Sequence, residues 1–483
     1  MQSALAFLDE WWPHAAAVLT VALSVVASGH VLLDKRDNRS AVAWVGLIWL
    51  APVVGSLLYL LLGVNRIQRR AVALRSGRPV IATRPEPAPS APAPIPATAT
   101  HLESLTTLVQ HLTGRRLTAG NTITPLVDGD AAYPAMIAAI DAAQTSVAFS
   151  TYIFDNDPAG RLFLDALERA VKRGVAVRVL VDAVGARYSW PTPIFSLLRR
   201  RRIPAAAFGR TVLPWRVTYF NLRNHRKLLV VDGRVGFTGG MNIRVGHMVA
   251  LKPRSPVQDL HFRLEGPVVA HLAQIFAEDW GFTRREVLSG DAWFPSLDGT
   301  GRVTARGLAD GPDEDLDPCR FTRLGALSCA RDWVRIVTPY FVPDSDLLTE
   351  LAITAMRGVR VEIVLPAVNN LLLVHWAATS QLWQVLGRGC RVYYAPPPFD
   401  HTKLMLVDGA WALVGSSNWD ARSLRLNFEF DVECYDTALV EELDRLVDAK
   451  LAQARPVTLE NVNSRSLAIK LRDGIARLAA PYL

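Results

Sequence analysis

The chain has 483 residues, of which 50% are hydrophobic and 20% are charged; this excludes a disordered chain and leaves room for two or three domains. Its formal net charge of +8 favours anionic partners such as nucleic acid, phosphorylated metabolites or an anionic membrane surface, without choosing among them. The four cysteines are widely spaced and form no CxxC pair, which argues against a disulfide scaffold or a structural zinc site.

Two charge-free runs near the N-terminus predict a membrane hairpin. They cover residues 11–33 and 40–65, and each is long enough to cross a bilayer as a helix. We predict transmembrane helices at about 11–33 and 41–64, within a first domain of residues 1–66, with a kink near Pro52 and Gly55. A cleaved signal peptide is disfavoured because Asp9 and Glu10 stand where basic residues are usual. Buried core helices are the weaker alternative.

A basic segment and then a proline-rich segment follow, together residues 67–100. Arginines at positions 66, 69, 70, 75 and 78 have no acidic residue among them, so the positive-inside rule places the bulk of the chain in the cytoplasm. Residues 79–100 are mostly Pro, Ala and Thr and predict a semi-extended tether. The expected protein is multi-pass, with its main part facing the cytoplasm.

The remaining chain repeats a strand–helix–strand pattern. The two copies are predicted at residues 146–154, 162–172 and 177–181 and at residues 334–341, 347–356 and 361–365. Their continuous apolar strands indicate a mostly parallel sheet covered by helices. The repetition predicts two homologous α/β halves, at residues 101–310 and 311–483.

Each half also contains a His-x-Lys-x4-Asp element, followed at fixed spacing by glycine and asparagine. The candidate residues are His225, Lys227, Asp232, Gly240 and Asn242 in the first half and His401, Lys403, Asp408, Ser416 and Asn418 in the second. One such copy is usually only a solvated strand face, and both aspartates precede turn glycines, which is compatible with a structural role. The repetition at identical spacing is what predicts a functional site.

The residue types in this element suit phosphodiester chemistry. Residues two apart on a strand share a face, so each His lies beside its Lys. Imidazole is a nucleophile and a proton carrier near neutral pH, while Lys and Asn side chains stabilise charge on phosphate oxygens. If the two halves converge, one His attacks phosphorus and the other protonates the leaving alcohol. This chemistry requires no metal and no other cofactor.

The motif pair resembles the phospholipase D superfamily, which has two HxKxxxxD motifs per active site. The wider sequence is similar to the bacterial cardiolipin synthases of that superfamily, at residues 35–44, 223–227, 237–242, 338–343, 422–429 and 480–483. The second motif departs by having Asp400 before the His and Thr402 after it, and the linker is unusually rich in Pro and Ala. The resemblance implies two phospholipase D-like α/β halves packed into one pseudo-two-fold catalytic unit, preceded by a transmembrane hairpin.

The resemblance also implies a reaction and roles for the site residues. Phosphatidyl transfer from one phosphatidylglycerol to a second gives cardiolipin and glycerol, with His225 as the nucleophile of a phosphohistidine intermediate and His401 as acid and then base. The reversed assignment stays open. A carboxylate behind each His is implied as well: Glu429 for the second motif and Asp259 for the first. The implied location is a bacterial inner membrane, with phosphatidylglycerol and other anionic phospholipids as partners and no nucleic acid.

Other interpretations remain. A phospholipase D-type hydrolase or a headgroup transferase needs the same motifs and differs only in the acceptor. A membrane-tethered nuclease requires an extended basic groove with aromatic platforms, which the sequence lacks. A catalytically dead scaffold conflicts with two intact motifs. The basic run at residues 199–202 is either a contact to an anionic surface or a solvated face. The segment at 464–478 is either an interfacial helix or an ordinary packed terminal helix.

Overall fold

The computed structural model describes residues 2–35, 38–60, 93–188, 193–209, 223–312 and 316–479. It divides into two units, Met1–Arg70 and Ala71–Leu483. The arginine cluster after residue 65, the proline-rich segment up to residue 92 and the C-terminal residues 480–483 lie outside the described residues.

The first unit consists of three helices, α1 (Gln2–Asp34), α2 (Asn38–Leu50) and α3 (Pro52–Leu58). Both α2 and α3 pack on α1, and Trp49 Nε1 donates to Ser28 Oγ at 3.1 Å. The break predicted at Pro52 is present, because Ala51 leaves the helical conformation (φ −139°, ψ 74°) and Pro52 opens α3. Within the described residues one helical segment, Trp11–Asp34, is long and apolar enough to cross a membrane, whereas Ser40–Leu50 is shorter.

The second unit begins with a 3-10 turn (Ala97–Leu102) and helix α4 (Glu103–Thr113). The elements that follow, up to residue 284, are β1 (Thr118–Val127), α5 (Asp128–Ala142), β2 (Ser146–Thr151), α6 (Pro158–Lys172), β3 (Ala176–Asp182), α7 (Ile194–Arg200), β4 (Ala205–Phe208), β5 (Arg223–Asn224), β6 (Leu228–Val231), β7 (Val235–Gly239), β8 (Val257–Gln258), β9 (Leu260–Glu265) and α8 (Val269–Arg284).

The remaining elements repeat this arrangement. They are β10 (Val303–Asp310), α9 (Pro318–Cys329), β11 (Trp333–Val337), β12 (Phe341–Val342), α10 (Ser345–Met356), β13 (Arg360–Pro366), α11 (Leu372–Leu386), β14 (Arg391–Ala395), β15 (Phe399–Asp400), β16 (Leu404–Val407), β17 (Trp411–Gly415), β18 (Trp419–Asp420), α12 (Ala421–Arg425), β19 (Asn427–Tyr435), α13 (Thr437–Leu451), β20 (Arg455–Val457), α14 (Leu459–Asn463) and α15 (Leu467–Leu478). Both predicted strand–helix–strand units are confirmed, as β2–α6–β3 and β11–α10–β13.

One mixed sheet of 16 strands runs through the described part of the second unit. Its order is β20-β14-β13-β11-β16-β17-β19-β10-β1-β9-β7-β6-β2-β3-β4, with β5 paired to β19. The parallel pairs of this sheet are β2–β3–β4, β11–β13–β14 and the two-residue pair β5–β19. The other described pairs of this sheet are antiparallel, so the prediction of a mostly parallel sheet is wrong. The central strands include the hairpins β6–β7 and β16–β17, whose turns are too short for the crossover that parallel strands need.

The strand order is the same in both directions from the centre of the sheet, which gives the unit its pseudo-two-fold symmetry. Strands β1 and β10 pair there, antiparallel, with Thr118 opposite Ala305. Strand β10 lies inside the predicted limits of the first half, but it pairs with β19 of the second half. Helix α4 also contributes Leu105 and Val109 to the hydrophobic core of the second half. We therefore place the boundary between the halves before β10.

Each half has its own hydrophobic core on both faces of the sheet. Strands β2 and β17 are buried at every position, as expected for strands covered by helices on both sides. The surface of the unit carries ion pairs. Arg201, from the basic run at 199–202, pairs with Asp165 and Glu168 of α6. That arginine is therefore engaged within its own half.

Candidate active site

Each His-x-Lys segment is attached to the opposite half of the unit. Strand β5, just before His225, pairs with the start of β19, and the His225 amide donates to the Phe428 carbonyl at 2.9 Å. Strand β15, just before His401, pairs with β8, and the His401 amide donates to the Gln258 carbonyl at 2.8 Å. This exchange fixes each histidine against a strand of the other half.

The exchange also decides which carboxylate lies behind which histidine. Glu429 Oε1, two residues into β19, is 3.4 Å from His225 Nδ1. Asp259 Oδ2, directly after β8, is 2.9 Å from His401 Nδ1. Both carboxylates named from the sequence lie behind a motif histidine, but both expected pairings are wrong: Glu429 serves the first motif and Asp259 the second. The pairs cross between the halves because the backbone bridges cross.

Buried hydrogen bonds orient Glu429. Ser416 Oγ donates to Glu429 Oε2 at 2.6 Å, and Asn427 Nδ2 donates to Glu429 Oε1 at 3.1 Å. The Asn427 amide nitrogen is also 3.2 Å from His225 Nδ1. Ser416 therefore acts through Glu429, and Asn427 is a positioning residue that the sequence alone did not single out. Its position two residues before Glu429 on a strand is informative only once β19 is known to pair with β5.

Gly240 performs the corresponding task for Asp259 by having no side chain. A Cβ at Gly240 lies 2.3 Å from Asp259 Oδ1 and 2.6 Å from Oδ2, which is far inside contact distance. Asp259 Oδ1 in turn accepts from the Leu260 amide at 2.8 Å. Because residue 240 has no side chain, the backbone directly after β7 can approach the Asp259 carboxylate, which holds His401.

Gly240→Ala is expected to displace the Asp259 carboxylate and lower turnover by about tenfold to a hundredfold, as loss of an orienting partner typically does. Gly474→Ala is the matched control, because a Cβ there meets nothing within 4 Å. Steady-state turnover and thermal unfolding of both variants give the comparison. Full activity in folded Gly240→Ala protein contradicts the positioning role.

The two lysines lie inside the site rather than on its rim. Lys227 Nζ donates to the His225 carbonyl and Lys403 Nζ to the His401 carbonyl, each at 2.5 Å. Both side chains are buried. Because one ammonium proton is used in each of these bonds, the remaining donors of each ammonium are available to an anion.

Electrostatic coupling shows that the two motifs meet. Burial lowers the pKa of His401 well below its usual value, and the positive charges of Lys403 and Lys227 lower it further, as does His225. Burial also lowers the pKa of His225, opposed by the negative charge of Glu429. Both shifts favour the neutral form of the rings near pH 7, and charged groups of both halves contribute to the environment of His401.

The rings open toward solvent while their partners do not. The side chains of His225 and His401 are 21% and 15% exposed, whereas those of Glu429 and Asp259 are fully buried. Each Nδ1 is directed at its carboxylate, so the Nε2 atom is the free nitrogen on the open side. This geometry suits attack on, or proton transfer to, an incoming group.

The charge of Lys403 sets an alkaline limit. Burial lowers the pKa of Lys403 to about 8, with Asp259 opposing and Lys227 adding to the effect. Above that pH the amine is neutral and attracts an anionic group less, so kcat/KM is expected to fall as pH rises through about 8. Lys403→Arg keeps its charge, and its residual kcat/KM is expected to stay level over the same range. A wild-type profile that stays flat to about pH 10 contradicts this role.

Asn242 and Asn418 lie beside the motifs in loops that the structure holds tightly. Asn242 Oδ1 accepts from the Ile153 amide at 3.1 Å, and its carbonyl accepts from Tyr133 Oη at 2.5 Å. Asn418 Nδ2 donates to Ser423 Oγ at 3.1 Å. These contacts order the loops, and contact with a phosphate remains a prediction for both residues.

Asp232 and Asp408 occupy turns away from the rings. Asp232 accepts from the backbone amides of residues 144, 145 and 146, at the start of β2. Asp408 accepts from those of residues 331, 332 and 333 and from His101 Nε2 at 2.8 Å. Both aspartates have positive φ, 52° and 51°. Their carboxylates are used in joining strands, so we assign them a structural role in place of the expected catalytic one.

Asp400, which distinguishes the second motif, forms a short turn and a buried ion pair. Its Oδ1 accepts from the Thr402 amide at 3.0 Å, just as Asn224 Oδ1 accepts from the Arg226 amide in the first motif. Lys450 Nζ is 2.6 Å from Asp400 Oδ2, and although burial acts to raise it, this contact keeps the pKa of Asp400 low. The turn shapes the backbone on either side of each catalytic histidine candidate.

Aromatic rings complete the walls, and sequence reasoning missed them. The Tyr152 ring centroid is 4.2 Å from that of His225, and the Tyr340 centroid is 6.1 Å from that of His401. The two tyrosines follow the corresponding strands β2 and β11, so their repetition was the available signal. Another histidine, His247, is buried, and its ring centroid lies 6.5 Å from that of His401. Burial lowers the pKa of His247 to about 3.

In the part of the chain that the structure describes, no group of three His, Cys, Asp or Glu side chains is arranged to hold a metal ion. The residues that converge are two imidazoles, two ammonium groups and two carboxylates. These residue types are suited to anion binding and proton transfer.

Comparison with known proteins gives consistent matches. The family described as "Cardiolipin synthase, PLD-like domain" matches residues 136–280 and 324–451, and "Phospholipase_D-nuclease N-terminal" matches residues 22–63. Cardiolipin synthase A of Pseudomonas entomophila is 31% identical over 470 residues, covering 95% of this chain and 96% of the relative. Cardiolipin synthase of Geobacillus kaustophilus is 29% identical over 459 residues, covering 94% and 91%.

A solved structure supports the fold. The phosphatidylserine synthase of Haemophilus influenzae Rd KW20 superposes with a TM-score of 0.62 at 15% identity, covering 79% of this chain and all of that one. At this identity the likeness shows the fold alone.

Proposed function

The chain belongs to the phospholipase D-like cardiolipin synthase family, and we propose that it transfers a phosphatidyl group between two phosphatidylglycerol molecules at the crossed histidine site. The chain is a phosphatidyltransferase of that family, and it makes cardiolipin. The observation that carries the residue assignment is the exchange of motifs between the halves. It presents two neutral imidazoles, each backed by a carboxylate of the other half, beside two buried ammonium groups.

The first step forms a covalent intermediate. His225 Nε2 attacks the phosphorus of one phosphatidylglycerol, and the bond from phosphorus to the headgroup glycerol oxygen breaks. His401, in its protonated form, gives its proton to that oxygen, so glycerol leaves and phosphatidyl-His225 remains. Glu429 stabilises the positive charge that develops on the His225 ring. Burial acts to raise the pKa of Glu429, but its interaction with the His225 ring, the charge of Lys227 and the hydrogen bond from Ser416 together keep that pKa low.

The second step transfers the phosphatidyl group. His401, now neutral, accepts the proton of a glycerol hydroxyl on a second phosphatidylglycerol. The hydroxyl oxygen attacks phosphorus, the bond from phosphorus to His225 Nε2 breaks, and cardiolipin forms. Lys227 and Lys403 compensate charge on the non-bridging oxygens in both steps. The phosphate also raises the pKa of His401, because its negative charge opposes the two lysines, and this makes the acid role available.

The N-terminal unit suits a lipid substrate. Its helix Trp11–Asp34 has the length and composition of a membrane span, which agrees with membrane association of the family. We propose a multi-pass hairpin that includes the broken second segment, α2 and α3, with the site on the cytoplasmic side of a bacterial inner membrane. The argument for orientation is the arginine-rich sequence after the hairpin.

The test uses the purified full chain and phosphatidylglycerol alone. Cardiolipin and glycerol are expected in equal amounts, without added nucleotide and in the presence of a metal chelator. Phosphatidic acid as the main product favours the hydrolase instead, because water then replaces the second lipid as acceptor. Absence of any product from phosphatidylglycerol, with turnover of another phosphodiester, contradicts the proposed substrate.

A further inference from the structure

Exposed leucine and isoleucine side chains cluster on two packed helices beside the site. Helix α15 packs along α11. Six side chains on these helices and on the loop before α11 form what we call the apolar surface. They are Leu371, Leu372, Leu373, Leu471, Ile475 and Leu478, between 47% and 78% exposed. Three are consecutive in the loop and at the start of α11, and three recur at helical spacing on α15, which differs from apolar residues scattered singly over a surface.

Helix α15 exposes its apolar stripe, whereas an ordinary packed terminal helix buries it. Leu471, Ile475 and Leu478 follow one another at spacings of four and three residues, so they form one stripe along the helix. The opposite side is the buried one: Ala476 packs into a cluster with Val374, Ala377 and Ala378 of α11. The apolar stripe therefore faces away from the protein, and a purely structural role leaves it unexplained.

The charges around the apolar surface are mostly positive. Lys470, Arg472 and Arg477 are exposed along α15, while its one acidic residue, Asp473, is buried and paired with Arg465 and Arg472. The Arg472 guanidinium also lies 4.3 Å from the Trp376 ring centroid on α11. Basic side chains flanking a leucine-rich stripe are complementary to an anionic lipid interface, where the stripe enters the acyl boundary and the cations meet headgroups.

Hydrogen bonds connect the loop before α11, which carries part of the apolar surface, to the candidate active site. Tyr340, whose ring packs against His401, donates its hydroxyl to Asn370 Oδ1 at 2.9 Å. Asn369 Nδ2 donates to the Pro339 carbonyl at 2.8 Å. Leu371 is the next residue along the chain, so the leucine loop is joined to the wall of the histidine site by two hydrogen bonds.

We propose that the apolar surface inserts into the interfacial layer of an anionic lipid bilayer and holds the histidine site at headgroup depth. The apolar surface contacts the lipid, and the hydrogen bond between Tyr340 and Asn370 fixes the distance between the leucine loop and His401. The reason for placing the site there rests on the proposed function, whereas insertion itself requires no catalysis.

Insertion is measured on the full chain in phosphatidylglycerol-containing proteoliposomes. The background is Cys329→Ser, because the other three cysteines are buried, and an environment-sensitive fluorophore is attached to Leu471→Cys. Quenching by lipids brominated on their acyl chains, with protection from iodide, is expected. Met356→Cys on α10, which is 59% exposed, is the control and is expected to show the reverse. Iodide access at position 471, or protection without quenching by brominated lipid, overturns the proposal; the second result indicates a protein partner.

Kinetics give an independent readout. The double variant Leu372→Ser/Ile475→Ser is expected to raise the KM for phosphatidylglycerol in mixed micelles by about tenfold, since lost apolar contacts weaken interfacial binding. Turnover of a short-chain, monomeric phosphatidylglycerol is expected to stay unchanged. Equal kinetics on both substrates overturns the proposal. The labelled His225→Ala chain separates the two hypotheses, because it is expected to insert although it is inactive. A wild-type chain that inserts but makes no cardiolipin contradicts only the proposed function.

Discussion

His225→Ala and His401→Ala are each expected to lower cardiolipin formation by about 10⁴-fold or more, and to fail at different steps. Without His225 there is no nucleophile, so no intermediate forms from any substrate. Without His401 the leaving glycerol is not protonated, yet the nucleophile is intact. A phosphatidyl ester of an acidic phenol needs no proton on its leaving group. His401→Ala is therefore expected to release a stoichiometric burst of phenolate, and His225→Ala none.

Rapid-mixing absorbance measures the burst, and acid-labile label on the protein from radioactive lipid confirms the phosphohistidine. His111→Ala, at an exposed histidine on α4, is the matched control and is expected to behave like the wild type. A burst in His225→Ala but not in His401→Ala reverses the two roles. Substantial cardiolipin synthesis by either variant shows that the histidines do not share one site.

The repeated strand–helix–strand units and motifs could be predicted from the sequence, whereas the contacts that cross between the two halves could not. Strands β2, β3, β11 and β13 were recognisable because their apolar runs are continuous and their positions recur with the same intervening helices. The antiparallel centre of the sheet could not be predicted in the same way, because the residues of β6 and β16 do not indicate which strand each pairs with. The turns after these strands, at Asp232 and Asp408, carried that information, since a tight turn forces an antiparallel hairpin.

The same limit explains why both carboxylates were misassigned. Asp259 is expected behind His225 and Glu429 behind His401 when each motif is paired with a carboxylate that follows it in the chain. In the fold, a two-residue bridge between β8 and β15 takes His401 to Asp259 instead. A bridge of two residues has no periodicity to read. The residue types of the site could be predicted from the repeated motif, but the contacts between halves depend on packing that only the folded chain defines.

The crossed pairing makes a prediction that chain order does not. Glu429→Gln is expected to slow cardiolipin formation by about 10²- to 10⁴-fold, the range seen when a carboxylate that orients a catalytic histidine becomes an amide. Because Glu429 lies behind His225, the loss is expected to persist with the phenol ester. Asp259→Asn is expected to be impaired to a similar degree on phosphatidylglycerol, but to keep the phenolate burst, because Asp259 holds the proton donor His401.

The two carboxylate variants are best compared in the same burst assay as the histidine variants, with Glu441→Gln, at an exposed position on α13, as the control. Ser416→Ala removes the 2.6 Å bond to Glu429 and the bond that the Phe430 amide donates to the same hydroxyl, and it is expected to follow Glu429→Gln with a smaller loss. If each carboxylate served the histidine of its own half, Asp259→Asn would lose the burst and Glu429→Gln would retain it. That outcome contradicts the exchange of motifs, because β5 and β15 can hold each histidine against only one strand.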